Sequence, residues 1–453
     1  MEKTPNTPNT PNTPNTPNTP DTPDTPGPTE SPESDTSEPG LRDTFAKRGE
    51  TSLKAFHKTM DDFKKCRSNN EVDKDIQFLI DRKKDFGSKG WTAEQFERIT
   101  SNGLVTDRWL GNIPGKDGRI PFRVANVFMA KNSEDTAYDD VVNKIDYAVS
   151  LDIPSMKEPI YIGFDVTLDE GALEDKLLRT TTDPNKNVPF GFSGLDYCYR
   201  QDGTMLPKIS NVPRYCITMD LTKETATAYN QRHDYLMQKG ENIDKKRADE
   251  SQMFLKRFNN RARFIVLSEV YEQNKLYQAM LPPQNGKDNL IIEDAKTKLE
   301  AIDKKLLPAL YIAAKHCPID LSIPASMGSE EKLSESDHEA LAVMEKRDEI
   351  LKEIKGLTEE IKGLVQKIKD PATSNLDKSQ KKQLVDAKKQ IVNEKKLELC
   401  ILISNYVKTQ DSHYSAFMEE INRLSQLEQS GAIEKLKKIG PRNKAISTKL
   451  LSV

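Results

Sequence analysis

Two short runs near the middle of the chain constrain its fold most. Ile145-Asp146-Tyr147-Ala148-Val149-Ser150-Leu151 alternates as a strand does. Successive side chains of a strand point to opposite faces, so Ile145, Tyr147, Val149 and Leu151 share one face and Asp146 takes the other. After a proline-containing turn at 152–159 comes Ile160-Tyr161-Ile162-Gly163-Phe164-Asp165-Val166-Thr167. Here Ile160, Ile162, Phe164 and Val166 take the core face, and Tyr161, Gly163, Asp165 and Thr167 the opposite one. Paired as a hairpin, the runs bring Asp146 and Asp165 together on the face away from the apolar stripes. Two aspartates on the wet face of a half-exposed sheet need no role. Aspartate is disfavoured in strands, however, and two in paired runs call for a reason.

Convergent carboxylates suit a hard cation, since Mg²⁺ and Mn²⁺ take oxygen ligands. Such an ion activates water and stabilises charge on a phosphoryl group, and a nearby lysine assists electrostatically. Ser133 reads as an N-cap, and Glu134 and Asp135 favour the start of a helix carrying Tyr138, Val141 and Val142. A helix with Leu173, Lys176, Leu177 and Leu178 follows the second run. The order is a helix with an acid, a strand with Asp, a strand with an acid two residues before a third position, a helix and a strand. Over residues 133 to about 220 it resembles the PD-(D/E)XK nuclease superfamily.

That resemblance implies a restriction-endonuclease-like mixed sheet with flanking helices and hydrolysis of phosphodiesters by a metal-bound water. It places Asp146 and Asp165 as the metal-holding acids, with Mg²⁺ or Mn²⁺ as the cofactor. Glu134 becomes the helix acid, with Asp139 and Asp140 as competitors. The third motif position is Thr167 rather than lysine, a departure from the pattern. In some members the following helix supplies the lysine, which puts Lys176 in that role. Without it, the resemblance implies a relative that binds and does not cleave.

The continuation fits a mixed sheet. Leu195 to Arg200 and Met205 to Ile209 flank Gln201-Asp202-Gly203-Thr204, an Asp-Gly hairpin signal. Arg214 to Asp220 reads as another buried strand with Tyr215, Ile217 and Met219 inward. Thr222 then caps a helix. At 254–264, Lys256, Arg257, Arg261 and Arg263 interleave with Phe254, Phe258 and Phe264 on a helix. Such a pattern grips a phosphate backbone or stacks a base. It is equally an amphipathic helix with its phenylalanines packed inward.

Four regions result. Residues 1–40 form a tail in which 4–26 repeat Thr-Pro-Asn, drifting to Thr-Pro-Asp. Proline every third residue excludes helix and sheet, and the polar run 27–40 continues the expected disordered, polyproline-like tail. Residues 41–106 read as an N-terminal helical segment. One helix carries Phe45, Leu53, Phe56, Met60 and Phe63. A second carries Ile76, Phe78, Leu79 and Ile80, Asp85 to Gly90 breaks it, and Thr92 caps a third through Ile99. Residues 107–285 form the α/β domain and 286–453 a helical, coiled-coil-like region. In the last, Ile350, Ile354, Leu357, Ile361, Leu364 and Ile368 make a heptad seam. Asp370-Pro371 breaks it, and residues 379–409 return as an antiparallel hairpin. The seam packs within the chain or pairs it with a homo-oligomer or protein partner.

The 453 residues are 35% hydrophobic and 31% charged, with a net charge of −3. Any contact with nucleic acid must therefore come from a local basic patch. Five scattered cysteines without a CxxC pair argue against a disulfide framework and fit a reducing compartment. No signal-like or membrane-spanning run appears, so a cytoplasmic location with no membrane contact is expected. The histidines make no HExxH pair, and GxGxxG, GxxxxGK[ST] and GxSxG are missing, which leaves nucleotide-fold and serine-hydrolase readings without support. Beside the nuclease, the sequence leaves open a non-enzymatic scaffold acting through the C-terminal helices.

Overall fold

The computed structural model describes residues 60–83, 91–105, 109–110, 123–129, 145–152, 156, 158–167, 173–178, 189–197, 205–219, 221–237, 244–281, 289–319 and 335–430. The tail of 1–40, the helix bearing Phe45, Leu53 and Phe56, residues 133–142 with Glu134, and the Asp-Gly turn at 201–204 lie outside them. The chain is mostly helical, with a small mixed sheet and flanking helices.

The sheet contains β1 (Arg123–Met129), β2 (Tyr147–Asp152), β3 (Ile160–Thr167), β4 (Phe192–Leu195) and β5 (Ile209–Thr218), in the order β1-β2-β3-β5-β4. The first three form an antiparallel meander, with Tyr147 opposite Phe164, Val149 opposite Ile162 and Leu151 opposite Ile160. Strand β5 then joins β3 in parallel, and short β4 lies antiparallel against the first half of β5. The strands do not lie where the Asp-Gly signal put them. Among the described residues of the expected arms, only Leu195, the end of β4, and Ile209, the start of β5, are in strands, and these two pair with each other. Strand β5 then runs on through Pro213 into the strand expected from Arg214, as one ten-residue strand. Pro213 pairs with Phe192 at a position where the Arg214 amide, donating to Gly191, makes the β4 bond. It also precedes the β3 pairing that begins at Arg214, so no ladder donor is missed.

The apolar faces read from the sequence pack as one core. Tyr147, Val149, Leu151, Ile160, Ile162, Phe164 and Val166 join it, with Tyr215 and Ile217 from β5. Ile145 departs from this. It precedes β2 and turns to the opposite face, into a small cluster with Ala148, Leu195, Leu206 and Val212. Gly163 makes room for it. A Cβ there would stand 2.6 Å from the Ile145 side chain, so the missing side chain is what admits Ile145.

A short 3-10 helix (Met60–Lys65) precedes α1 (Asn69–Lys83) and α2 (Trp91–Val105), so the third N-terminal helix runs six residues past Ile99. Then follow α3 (Leu173–Leu178), α4 (Lys223–Met237), α5 (Lys245–Met280), α6 (Asn289–His316), α7 (Glu335–Lys369), α8 (Asn375–Gln410) and α9 (Ser412–Gln429). Residues of α5 to α9 share the core of the sheet, so the C-terminal helices pack as part of the same core. The heptad seam of α7 is used within the chain. Ile350 and Ile354 are buried, and Leu357 and Ile361 pack beside them. Ion pairs Glu360–Lys388 (2.5 Å) and Glu353–Lys395 (2.8 Å) set α8 antiparallel to α7. Ser374 caps α8 through the amide of Asp377. Exposed apolar residues lie instead on α8, at Leu376, Leu384, Ile391, Leu397 and Ile401. Among the described residues, no helix is long and apolar enough to cross a membrane.

Candidate active site

The β2–β3 register ends at Tyr147–Phe164, and Asp146 precedes β2. The Asp146 amide donates to the Phe164 carbonyl at 2.8 Å, one residue out of that register, so a bulge and not the regular ladder carries Asp146 to the Asp165 end of β3. The amide of Val166 donates to Asp146 Oδ2 at 2.7 Å, so the first carboxylate caps the backbone beside the second.

Lys176, on α3, reaches the pair from the following helix. Its Nζ lies 2.5 Å from Asp165 Oδ1 and 3.1 Å from the Val166 carbonyl oxygen. Burial pulls the Lys176 pKa down, but Asp165, Cys216 and Asp146 pull it up by more, and the ammonium is held charged. Lysine therefore stands beside both carboxylates, although Thr167 occupies the motif position. Thr167 is buried and pairs across β3–β5 with Thr218.

Sequence reasoning missed Arg214. The parallel register places Gly163 opposite Arg214 and Asp165 opposite Cys216, so Arg214 rises from β5 on the aspartate face. Its Nη1 donates to Asp165 Oδ2 at 3.0 Å and its Nη2 to the Lys176 carbonyl at 2.6 Å. Its side chain is only 3% exposed. An arginine opening an otherwise apolar strand needs a buried counter-ion, but nothing local in the sequence names Asp165 as that counter-ion. The Cys216 thiol in this setting is pushed up by burial and by Asp165, and is inert as a nucleophile.

The outer edge of β5 is finished by side chains. Alternate residues of β5 point their backbone groups away from β3. The Arg214 amide donates to Gly191, but β4 does not reach farther. Helix α5 takes over with Tyr277, Gln273 and Glu269, spaced four apart on one helix face. Tyr277 donates to the Arg214 carbonyl at 2.8 Å. Gln273 accepts from the Cys216 amide at 2.7 Å and donates to the Cys216 carbonyl at 2.8 Å. Glu269 accepts from the Thr218 amide at 3.1 Å and the Thr218 hydroxyl at 2.6 Å.

Glu269 is fully buried, and burial raises its pKa well above the ordinary 4.5, more than the Thr218 hydrogen bonds lower it. A carboxyl whose folded pKa exceeds its unfolded one contributes stability that is complete below the unfolded value. That stability is lost as pH rises toward the folded value. Glu269→Gln, neutral at every pH, should therefore gain stability relative to the native chain between pH 5 and pH 8. Urea unfolding at several pH values reads this, and a difference that stays constant with pH would refute it.

The second candidate region is less unified. Phe254 and Phe258 pack against the core and Phe264 is buried within it. Phe258 lies 4.8 Å from Tyr229, and Arg232 covers the Phe254 ring. These rings are thus taken by protein partners. Arg261 donates to the Gln410 carbonyl at the end of α8, and Arg263 to Asn260. Lys256 and Arg257 are exposed. Burial and then Lys315, Arg263, Lys256 and Arg347 lower the pKa of His316, which marks a cationic junction of α5, α6 and α7.

Comparison with family models, with curated proteins and with solved structures finds no match.

Proposed function

We propose that the central α/β unit is a nuclease-like phosphodiester-processing site, built on Asp146, Asp165 and Lys176. The observation that supports this reading is that Asp146 accepts from the Val166 amide beside Asp165, to which Lys176 is salt-bridged. The meander followed by a parallel strand is a mixed sheet with flanking helices, and the reading of it as restriction-endonuclease-like is part of this proposal.

The donor set offers carboxylate oxygens, the kind a divalent cation takes, but Lys176 and Arg214 already engage both oxygens of Asp165. It is short in number. Among the described residues no group of three or more His, Cys, Asp and Glu side chains is placed to hold a metal. Asp146 and Asp165 would supply its protein ligands, and when bound it would activate a water and offset phosphoryl charge. Lys176 holds a positive charge at the carboxylates, ready to stabilise an anionic oxygen. Exposed Lys256 and Arg257, with the cationic junction beside them, are the proposed contact for a phosphate backbone.

A second reading is a relative that binds nucleic acid without cleaving it. It draws on Arg214, which occupies the remaining oxygen of Asp165. One assay separates the two. Purified protein is incubated with single- and double-stranded DNA and RNA in Mg²⁺, in Mn²⁺ and in chelator, beside Asp146→Asn. The variant keeps an oxygen able to accept from Val166 and so keeps the fold. Metal-dependent cleavage reduced at least about a hundredfold by Asp146→Asn is the expected result. Binding without cleavage supports the second reading, and cleavage equal in the variant sinks the first.

A further inference from the structure

We infer that Arg214 is a resident cation of the carboxylate pair, which occupies Asp165 in place of a divalent ion and sets how readily that ion enters. The inference rests on reading Asp146 and Asp165 as a cation site and adds the residue that controls its loading.

Four ionisable groups meet here, Asp146 and Asp165 against Lys176 and Arg214. Both oxygens of Asp165 are engaged, Oδ1 by Lys176 and Oδ2 by Arg214. Among the described residues the two cations offset the two carboxylates, so a divalent ion would meet two cations at close range. One protein cation must withdraw from Asp165 for the ion to bind.

The two cations are not equivalent. Lys176 carries a single ammonium, is 19% exposed and sits on a helix of six residues. Arg214 is 3% exposed, and its second nitrogen is tied to the Lys176 carbonyl at 2.6 Å. Its backbone is held on both sides, by Gly191 through its amide and by Tyr277 through its carbonyl. A guanidinium also stays charged at any working pH, so proton loss does not release it. Arg214 is thus the fixed competitor for Asp165. Its two-pronged contact links β5, β3 and α3, and couples the position of Lys176 to the occupancy of Asp165.

Mn²⁺ binding to the full chain tests this without reference to cleavage. Affinity is measured by titration calorimetry or by the loss of the free Mn²⁺ resonance. The native protein is compared with Arg214→Met, Arg214→Gln and Arg214→Lys, each checked for a cooperative thermal transition. Arg214→Met should bind Mn²⁺ at least about tenfold more tightly, because a competing charge is gone. Arg214→Gln should do the same while keeping an N–H donor for the Lys176 carbonyl, and it serves if the methionine variant does not fold. Arg214→Lys, which keeps the charge, should stay within about threefold of the native chain. General structural damage weakens binding and does not tighten it. A folded methionine or glutamine variant that binds no more tightly than the native chain overturns the inference, and so does failure of every variant to take up Mn²⁺. If neither variant folds, Mg²⁺ titration of the native chain decides through the Arg214 guanidinium NMR signal, and a signal that stays unmoved overturns the inference. Tighter binding without cleavage by any form would spare this inference and remove the hydrolytic reading. Cleavage by the native chain with no gain in Arg214→Met would do the reverse.

Discussion

Asp165→Ala should lower the unfolding free energy of the chain by about 3–5 kcal/mol, the cost of removing one partner from a buried ion pair. The reason is what the substitution leaves behind. Lys176 and Arg214 would keep their charges in a site where Asp165 is 5% exposed and the Arg214 side chain 3%, with the carboxylate that bridges them gone and Asp146 alone left to offset both. The two cations would then repel one another across the gap. Urea unfolding measures the loss. Asp165→Ala combined with Arg214→Met should recover part of it, because the second change removes one of the stranded charges. The two effects would thus fall short of additive, as expected for residues in one network. A loss below about 1 kcal/mol in the single variant would show that water reaches the site and that the pairing is a surface interaction worth little.

Gln273→Leu should cost roughly 2–6 kcal/mol. The side chain amide closes a ring with Cys216, accepting from its N–H and donating to its carbonyl, on the stretch of β5 that β4 does not cover. Leucine fills much of the volume and satisfies neither group, and each buried backbone group left without a partner costs on the order of 1–3 kcal/mol. Gln273 also accepts from the Tyr277 hydroxyl and donates to the Glu269 carbonyl, so its loss loosens both neighbours. Amide hydrogen exchange at Cys216 locates the effect. In the variant this amide should exchange faster by orders of magnitude, while amides of β2 follow only the global change. Unaltered protection at Cys216 would mean that another group caps the strand.

These two variants mark where reading the sequence stopped. The period-two alternation at 147–151 and 160–167 was enough to place each strand and its core face, and it singled out the two aspartates. That information is local, because a strand's side chains alternate whatever lies beside it. The heptad seam at 350–368 likewise specified a helix with an apolar stripe. It left the partner of that stripe undecided, because the same stripe packs equally well within a chain or between chains. The structure answers this inside the chain, through α8.

Lys176 was within reach of the sequence, since it lies on the helix that directly follows the second aspartate. Arg214 was not. It stands 49 residues from Asp165, and only the parallel pairing of β5 with β3 brings them into register. Ile145 shows the reverse failure, where a pattern continued on paper one residue beyond the real strand and Gly163 opened the opposite face to it.

The sequence by itself determined that 147–151 and 160–167 are strands with an apolar core face, that the C-terminal region is built of long helices, and that Asp146 and Asp165 belong to one hairpin. Strand β1 and the bounds of β4 and β5 were not legible in it. The tertiary structure alone decided which cations neutralise those carboxylates and how the uncovered edge of β5 is satisfied. The physical reason is the range of the interactions. Periodicity and capping act within a few residues. A buried charge or an orphaned backbone group is satisfied by whatever side chain the fold delivers to it, and sequence distance sets no limit on where that side chain originates.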